Sequence, residues 1–161
     1  MAKIIIALLL IASLAGIITS ASTTALPGSV LYPYKIHITE KVDGLLAFTA
    51  NQKAEFSEDM AETRLAELQT LFKNDTLTST VEVQLVSAFD TASADVSFRA
   101  QALAAHGDST DAMRIVQNFQ TTVSNAVASL PADSSISTHL QTTLSSLSAL
   151  SGTIATTTIK K

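Results

Sequence analysis

The chain has 161 residues, no cysteine and a formal net charge of −4, from 10 basic and 14 acidic residues. This length fits one domain, and a chain without cysteines must be stabilised by a packed core because disulfides are excluded. The basic residues are scattered, with only Lys160 and Lys161 adjacent. Binding to phosphate backbones needs clustered positive charge, so no nucleic-acid partner is expected.

The chain opens with an apolar leader. Lys3 precedes an apolar run from Ile4 to Ile18, and small residues at 19–21 and 23–25 suit a signal peptidase. A membrane span needs about 20 residues. We therefore expect a secretory signal within residues 1–25, with an uncleaved membrane anchor as the alternative. Cleavage removes one lysine and no acid, which leaves a charge of 9 − 14 = −5. Both alternatives predict an exported protein that is periplasmic, extracellular or anchored facing outside.

The stretch "LPGSVLYPYK" at 26–35 has the features of a helix entrance. Pro27 and Gly28 fit the middle of a type II turn, because proline fixes φ and glycine tolerates a positive φ. Pro33 suits the first helical position, with Tyr32 as the cap. The apolar positions Ile38, Val42 and Leu45 would continue one face of that helix.

The apolar spacing is helical almost throughout and predicts an all-α fold. Helices are expected at 33–47, 50–73, 79–106, 109–130 and 134–150. Their short connections favour an up-and-down bundle of four to five helices forming one domain over 26–150. The seam of the fourth helix repeats every 3–4 residues, as in a coiled coil: Ala112, Val116, Phe119, Val123, Ala126 and Leu130. The Ser- and Thr-rich segment 151–161 is expected to be a disordered tail.

Helix boundaries are also indicated by capping residues. Thr49 and Gln52 form a capping-box pattern. Gly107 fits the end of one helix, and Asp108 fits the cap of the next. Pro131 and Asp133 are expected to separate the last two helices.

Two residues near the entrance could bind a metal ion. His37 and Glu40 lie one helical turn apart. A di-iron centre in a bundle needs the pattern Glu-x-x-His on two helices, and the sequence does not contain it. His106 and His139 are isolated. The simpler interpretation makes His106 a residue at a helix C-terminus, favoured by the helix dipole, and the other two histidines surface residues. No cofactor is expected.

Other polar and aromatic residues offer weaker candidates. The acids of the second helix are most simply a solvated face, within which Arg64 can pair with Glu67: Glu55, Glu58, Asp59, Glu62 and Glu67. Aromatic residues at the entrance could form a groove for a peptide, although core packing is the simpler explanation: Tyr32, Tyr34, Phe48 and Phe56. No nucleophile elbow, phosphate-binding loop or His-Glu-x-x-His helix occurs, so the protein is not expected to be an enzyme.

The entrance also carries a resemblance to a known family. Leu26-Pro27-Gly28, Leu31-Tyr32-Pro33 and Lys35 resemble the opening of an uncharacterised bacterial family, a domain of unknown function in exported or membrane-anchored proteins. The similarity continues through "EKV" at 40–42 and "LAFT" at 46–49 to "AETRLAEL" at 61–68, and covers roughly residues 26–73. It implies an exported α-helical domain, and supplies no catalytic residue.

These features predict an exported, non-enzymatic helical module of the bacterial cell envelope that binds a protein or peptide partner. Membrane contact is expected only through residues 4–25, if they are not cleaved. Tyr32, Tyr34, Lys35 and Arg64 are the candidate binding residues. The alternative is an extracytoplasmic metal sensor or buffer that uses His37 and Glu40. A periplasmic chaperone is disfavoured, because Val81 stands where the Leu-Thr-x-x-Gln signature of such helical hairpins requires glutamine.

Overall fold

The computed structural model describes residues 23–132 and 134–159. The apolar run and Asp133 lie outside the described residues, so the predictions that concern them stay predictions. The structure divides into two compact units, one ending at Leu46 and the other beginning at Ala47. The single domain expected over 26–150 stays a prediction. One helix ends at Leu46 and the next begins at Ala50, after the interruption at 47–49.

The first unit contains the predicted turn and helix. The backbone N–H of Ser29 donates to the carbonyl of Leu26 at 3.0 Å, and Gly28 has φ +91°, as a type II turn requires. The helix follows in three continuous segments: α1 (Tyr32–Tyr34), a π-helical segment (Lys35–Thr39) and α2 (Glu40–Leu46). Leu31 is the cap, so Pro33 is the second helical residue and the expected cap at Tyr32 is shifted by one position.

The second unit is a bundle of long helices. Its described helices are α3 (Ala50–Lys73), α4 (Ser79–Ala105), α5 (Ser109–Ser129) and α6 (Ser135–Ile159). The described residues contain no strand, so the predicted all-α class is confirmed. None of the described helices combines the length and the apolar character needed to cross a membrane.

Side-chain pairs show that α3 and α5 run in the same direction. Ser57, in the first half of α3, donates to Asp95, in the second half of α4. Thr122 of α5 donates to Glu62 of α3. Gln69, seven residues beyond Glu62, bonds Ser129, seven residues beyond Thr122, so α3 and α5 run parallel. Each helix packs on the next one in the chain, and the up-and-down arrangement is confirmed.

The core lies on the seams that the sequence predicted. All six seam residues of α5 are buried, and the rings of Phe89 and Phe119 meet with centroids 6.1 Å apart at an interplanar angle of 44°. A tilted pair of this kind contributes about 0.5–1.5 kcal/mol beyond the burial of its area. It joins α4 to α5 at the centre of the bundle.

The predicted caps are mostly confirmed. Thr49 and Gln52 make both hydrogen bonds of a capping box. Gly107 has φ +100°, and the N–H of Asp108 donates to the carbonyl of Leu103 at 2.9 Å, as in a Schellman ending. Asp108 occupies the cap position of α5 but makes no side-chain capping bond. Ser134 precedes α6, and its Oγ accepts from the N–H of Ser137 at 3.0 Å, as a capping residue does.

The last helix is longer than expected. The sequence predicted its end at 150 and a disordered tail from 151, but α6 continues to Ile159. Leu150 and Ile154 are only 7% and 2% exposed, so the buried face that includes Leu147 continues beyond residue 150. Burial of two further apolar side chains offsets the low helix propensity of the Ser and Thr residues between them.

Candidate functional site

The entrance lysine has an internal role. Lys35 is buried, and its Nζ donates to the carbonyl of Ala25 at 3.3 Å. The same Nζ lies 6.0 Å from the ring centroid of Tyr32, within reach of a cation–π contact. Lys35 therefore ties the residues before the turn to the helix after it, and a buried lysine is poorly placed to meet a partner.

The aromatic candidates occupy different environments. Tyr32 and Tyr34 are half-buried in the first unit. Phe56 is half-buried on α3, whereas Phe48 is 75% exposed ahead of the cap. Core packing, the simpler sequence interpretation, therefore does not apply to Phe48.

His37 and Glu40 lie on either side of a change in helix type. His37 is exposed in the π-helical segment, and Glu40 begins α2. The N–H of Glu40 donates to the carbonyl of Lys35, five residues back, which inserts an extra residue into the turn. Within the described residues, no three His, Asp or Glu side chains are grouped closely enough to hold a metal ion.

Arg64 is buried in an ion pair. Its Nη1 donates to both carboxylate oxygens of Glu67, at 2.9 and 2.8 Å. The predicted pairing is present, and both side chains are withdrawn from solvent. The structure therefore places Arg64 inside the bundle and away from any exposed binding surface.

A pocket lined by acids lies between α3 and α5, and we call it the acidic groove. It has a volume of about 570 Å³ and is lined by four acids of α3 and four side chains of α5. The lining residues are Glu55, Glu58, Asp59, Glu62, Arg114, Asn118, Thr121 and Thr122. The solvated face that the sequence predicted is therefore one wall of a groove.

Glu58 is the unusual member of the acidic groove. It is only 8% exposed, so its placement on a solvated face was wrong. No described residue donates a hydrogen bond to its carboxylate or forms an ion pair with it. Burial, and after it the negative charges of Glu62 and Asp59, together raise the pKa of Glu58 from 4.5 to about 7. Burial and the charge of Glu62 also raise the pKa of Asp59 above 3.8.

The one cation lining the groove is already engaged. Arg114 donates to Glu55 at 2.8 Å and to Asn51 at 3.3 Å, and its Nε lies 3.4 Å from Asp111. The hydrogen bond to Glu55 raises the pKa of Arg114 above its ordinary value, so it remains charged. Its charge is thus shared between Glu55 and Asp111, and it only partly offsets the other acids.

The spacing of apolar residues in α3 contains a sign that Glu58 is buried. The buried positions of α3 run Ala54, Ala61, Leu65 and Leu68, at intervals of 7, 4 and 3. Position 58 divides the interval of 7 into 4 and 3, so Glu58 stands where the seam requires an apolar residue. Two alanines flank it along the seam, and their small side chains leave room beside the carboxylate.

A second pocket joins α4 to α6. It has a volume of about 360 Å³ and includes Asp90 and His139 in its lining. The Nε2 of His139 lies 2.6 Å from the Oδ1 of Asp90, and Ser135 donates to Glu82 at 2.9 Å. These two pairs link α4 to α6 across the pocket. The isolated surface histidine of the sequence is thus part of an interhelical contact.

The fold defines the class of protein as an all-α bundle preceded by a short helical unit. Residues 24–97 match the model of a family described as a domain of unknown function, DUF5667. The match covers less than half of the chain and ends inside α4, so α5 and α6 lie beyond it. Neither the curated proteins nor the solved structures contain a match to this chain.

Proposed function

We propose that the protein is an exported, non-enzymatic helical module of the bacterial cell envelope, which binds a protein or peptide partner. The observation that carries this proposal is a set of exposed apolar side chains on the helix of residues 32–46. Ile38, Val42, Leu45 and Leu46 are 46%, 48%, 76% and 59% exposed. We call these four residues the apolar stripe.

The apolar stripe has the spacing of a recognition helix. Ile38, Val42 and Leu45 stand at i, i+4 and i+7, so they share one face. A helix that binds in a partner's groove presents anchors with this spacing. Exposed apolar side chains gathered on one face are typical of interaction surfaces, whereas single exposed apolar residues are ordinary.

The sequence around the helix supports its place in the envelope. The apolar run from Ile4 to Ile18 has the composition of a secretory leader or an anchor. The turn at Pro27 and Gly28 lies between that run and the apolar stripe. The module would therefore present its binding helix close to the point where the leader ends.

Site-specific photo-crosslinking in intact cells tests the interaction. A photoreactive amino acid at Leu45 should give a discrete protein adduct, whereas the same amino acid at exposed Asp75 should give none. A second substitution, Val42→Glu, should abolish the Leu45 adduct by placing a charge in the apolar contact. Equal crosslinking from both positions, or a protease-resistant lipid adduct alone, would contradict binding to a protein or peptide.

A further inference from the structure

The acidic groove has the features of a ligand site that the proposed function does not use. We propose that it binds a small linear polyamine, one ammonium group of which contacts the carboxylate of Glu58. This inference concerns only the second unit and goes beyond the proposed function. It can therefore fail without affecting the role of the apolar stripe.

The position of Glu58 provides the first argument. An acidic residue that is more than nine-tenths buried ordinarily has a hydrogen-bond or ion-pair partner within the protein. Glu58 is 8% exposed, borders the groove and has no such partner in the described part of the chain. A cation entering the groove would give the carboxylate a charged partner in place of the solvent that reaches it there.

The surrounding charges provide the second argument. On its own helix Glu58 faces Glu55, Asp59 and Glu62, and from α5 it faces Arg114. Arg114 is held by Glu55 and Asp111, as described above. On α4, Asp95 forms an ion pair with Arg99 at 2.7 Å, so these two charges offset one another. The groove therefore keeps an excess of negative charge.

The spacing of the acids favours an organic ammonium over a metal ion. A metal ion needs several ligands converging on one point, and no such group of three occurs among the described residues. Glu58 and Glu62 are instead separated along the helix by a rise of about 6 Å. Ammonium groups joined by a short alkyl linker can meet such separated acceptors one by one. Asn118 and Thr121 add neutral oxygens along the same groove.

Binding should be linked to the ionisation of Glu58. A cation favours the charged carboxylate, so it lowers the pKa of Glu58 in the complex below the value of about 7 in the free protein. Near pH 7 the bound ammonium would displace a proton, and the affinity would rise between pH 6 and 8. Attraction to carboxylates that are already ionised at pH 7 would release no proton.

Isothermal titration of the full chain with spermidine tests this proposal. At pH 7, parallel titrations in two buffers with different ionisation heats should show release of a fraction of a proton. Glu58→Gln should weaken binding about tenfold, the loss expected for one charge-assisted contact, and should abolish proton release. The matched control Asp75→Asn removes the same charge outside the groove and should leave the affinity within about twofold. Asp75 has φ +52°, which asparagine tolerates.

Further measurements distinguish between the possible classes of ligand. Asn118→Lys places an ammonium group in the groove and should abolish spermidine binding while the helix content remains unchanged. Equal loss of affinity in Glu58→Gln and Asp75→Asn would overturn the proposal in favour of general charge attraction. Magnesium or calcium binding that depends on Glu58 in place of spermidine would overturn the ligand class. A tri-lysine peptide that binds more tightly than spermidine would make the ligand a protein segment and overturn the small polyamine.

Discussion

Replacing Glu58 with glutamine should stabilise the protein, and more so at high pH. In the folded state the pKa of Glu58 is about 7, against the ordinary value of 4.5. Between these values the folded protein holds more of this proton than the unfolded chain does. Stability is therefore lost as the pH rises through this window, and the penalty is complete above pH 7. Glutamine has nearly the same shape and does not ionise, so it removes the penalty.

The size of the effect follows from the two pKa values. The difference between 4.5 and about 7 corresponds to at most about 3 kcal/mol. Solvent that reaches the carboxylate through the open groove screens part of it, so we expect Glu58→Gln to stabilise by about 1–2 kcal/mol at pH 8.5. At pH 5 the gain should fall to about a few tenths of a kcal/mol, because the folded-state carboxyl is then protonated.

Urea unfolding followed by circular dichroism at pH 5, 7 and 8.5 measures this difference. The gain of Glu58→Gln over the natural chain should grow with pH, with an unchanged denaturant slope. Asp75→Asn is the control, because it removes one exposed carboxylate and should show no such trend. A Glu58→Gln protein that is destabilised at pH 8.5, or equally stabilised at pH 5 and 8.5, would refute the reasoning.

Four further outcomes are expected. Ser57→Ala should destabilise by about 1–2 kcal/mol, because Ser57 Oγ bonds both Asp95 and Arg99; an unchanged urea midpoint would contradict this. Phe119→Ala should lose about 3–5 kcal/mol by opening a cavity against Phe89, whereas a loss below about 1 kcal/mol would contradict central packing. Arg64→Ala should lose about 3 kcal/mol, because Glu67 is buried beside it, and Lys73→Ala, on the exposed end of the same helix, serves as its control. If His37 binds zinc, zinc should raise the melting temperature of the natural chain and not of His37→Ala; equal responses would dismiss the metal sensor.

The helices of the second unit were predictable because two independent signals agreed. Apolar spacing located the buried faces, and local capping residues located the ends. Thr49 with Gln52 set the start of α3, and Gly107 set the end of α4. Both act through hydrogen bonds to neighbouring backbone groups, so they can be read without knowing the tertiary structure.

The features that were missed depend on contacts between distant residues. The burial of Glu58 requires α5 to cover that face of α3, and its neighbours Arg114 and Thr122 are more than fifty residues away in sequence. Only the gap in the α3 seam pointed to it. The length of α6 was missed for a similar reason, since Ile154 becomes a core residue only when the rest of the bundle is in place.

The local structure around the candidate binding residues could be predicted from the sequence, whereas their role in binding stays a prediction. The turn at Gly28 and the helix after it formed as expected, but Lys35 and Arg64 are both buried in internal contacts. A positive charge in a sequence gives no direct sign of whether its partner is internal or external. The apolar face through Val42 was recognised, whereas its exposure needed the structure.

Export of the chain is the most direct test of the proposed function. Alkaline phosphatase, which is active only outside the cytoplasm, would be fused after Lys161 and compared with the same fusion lacking residues 1–25. We expect activity only in the full fusion, and an intact mass of the unfused protein that either lacks about 21–25 residues or is full length in the membrane fraction. An inactive full fusion, with the unfused protein at full length in the cytoplasm, would contradict an envelope module.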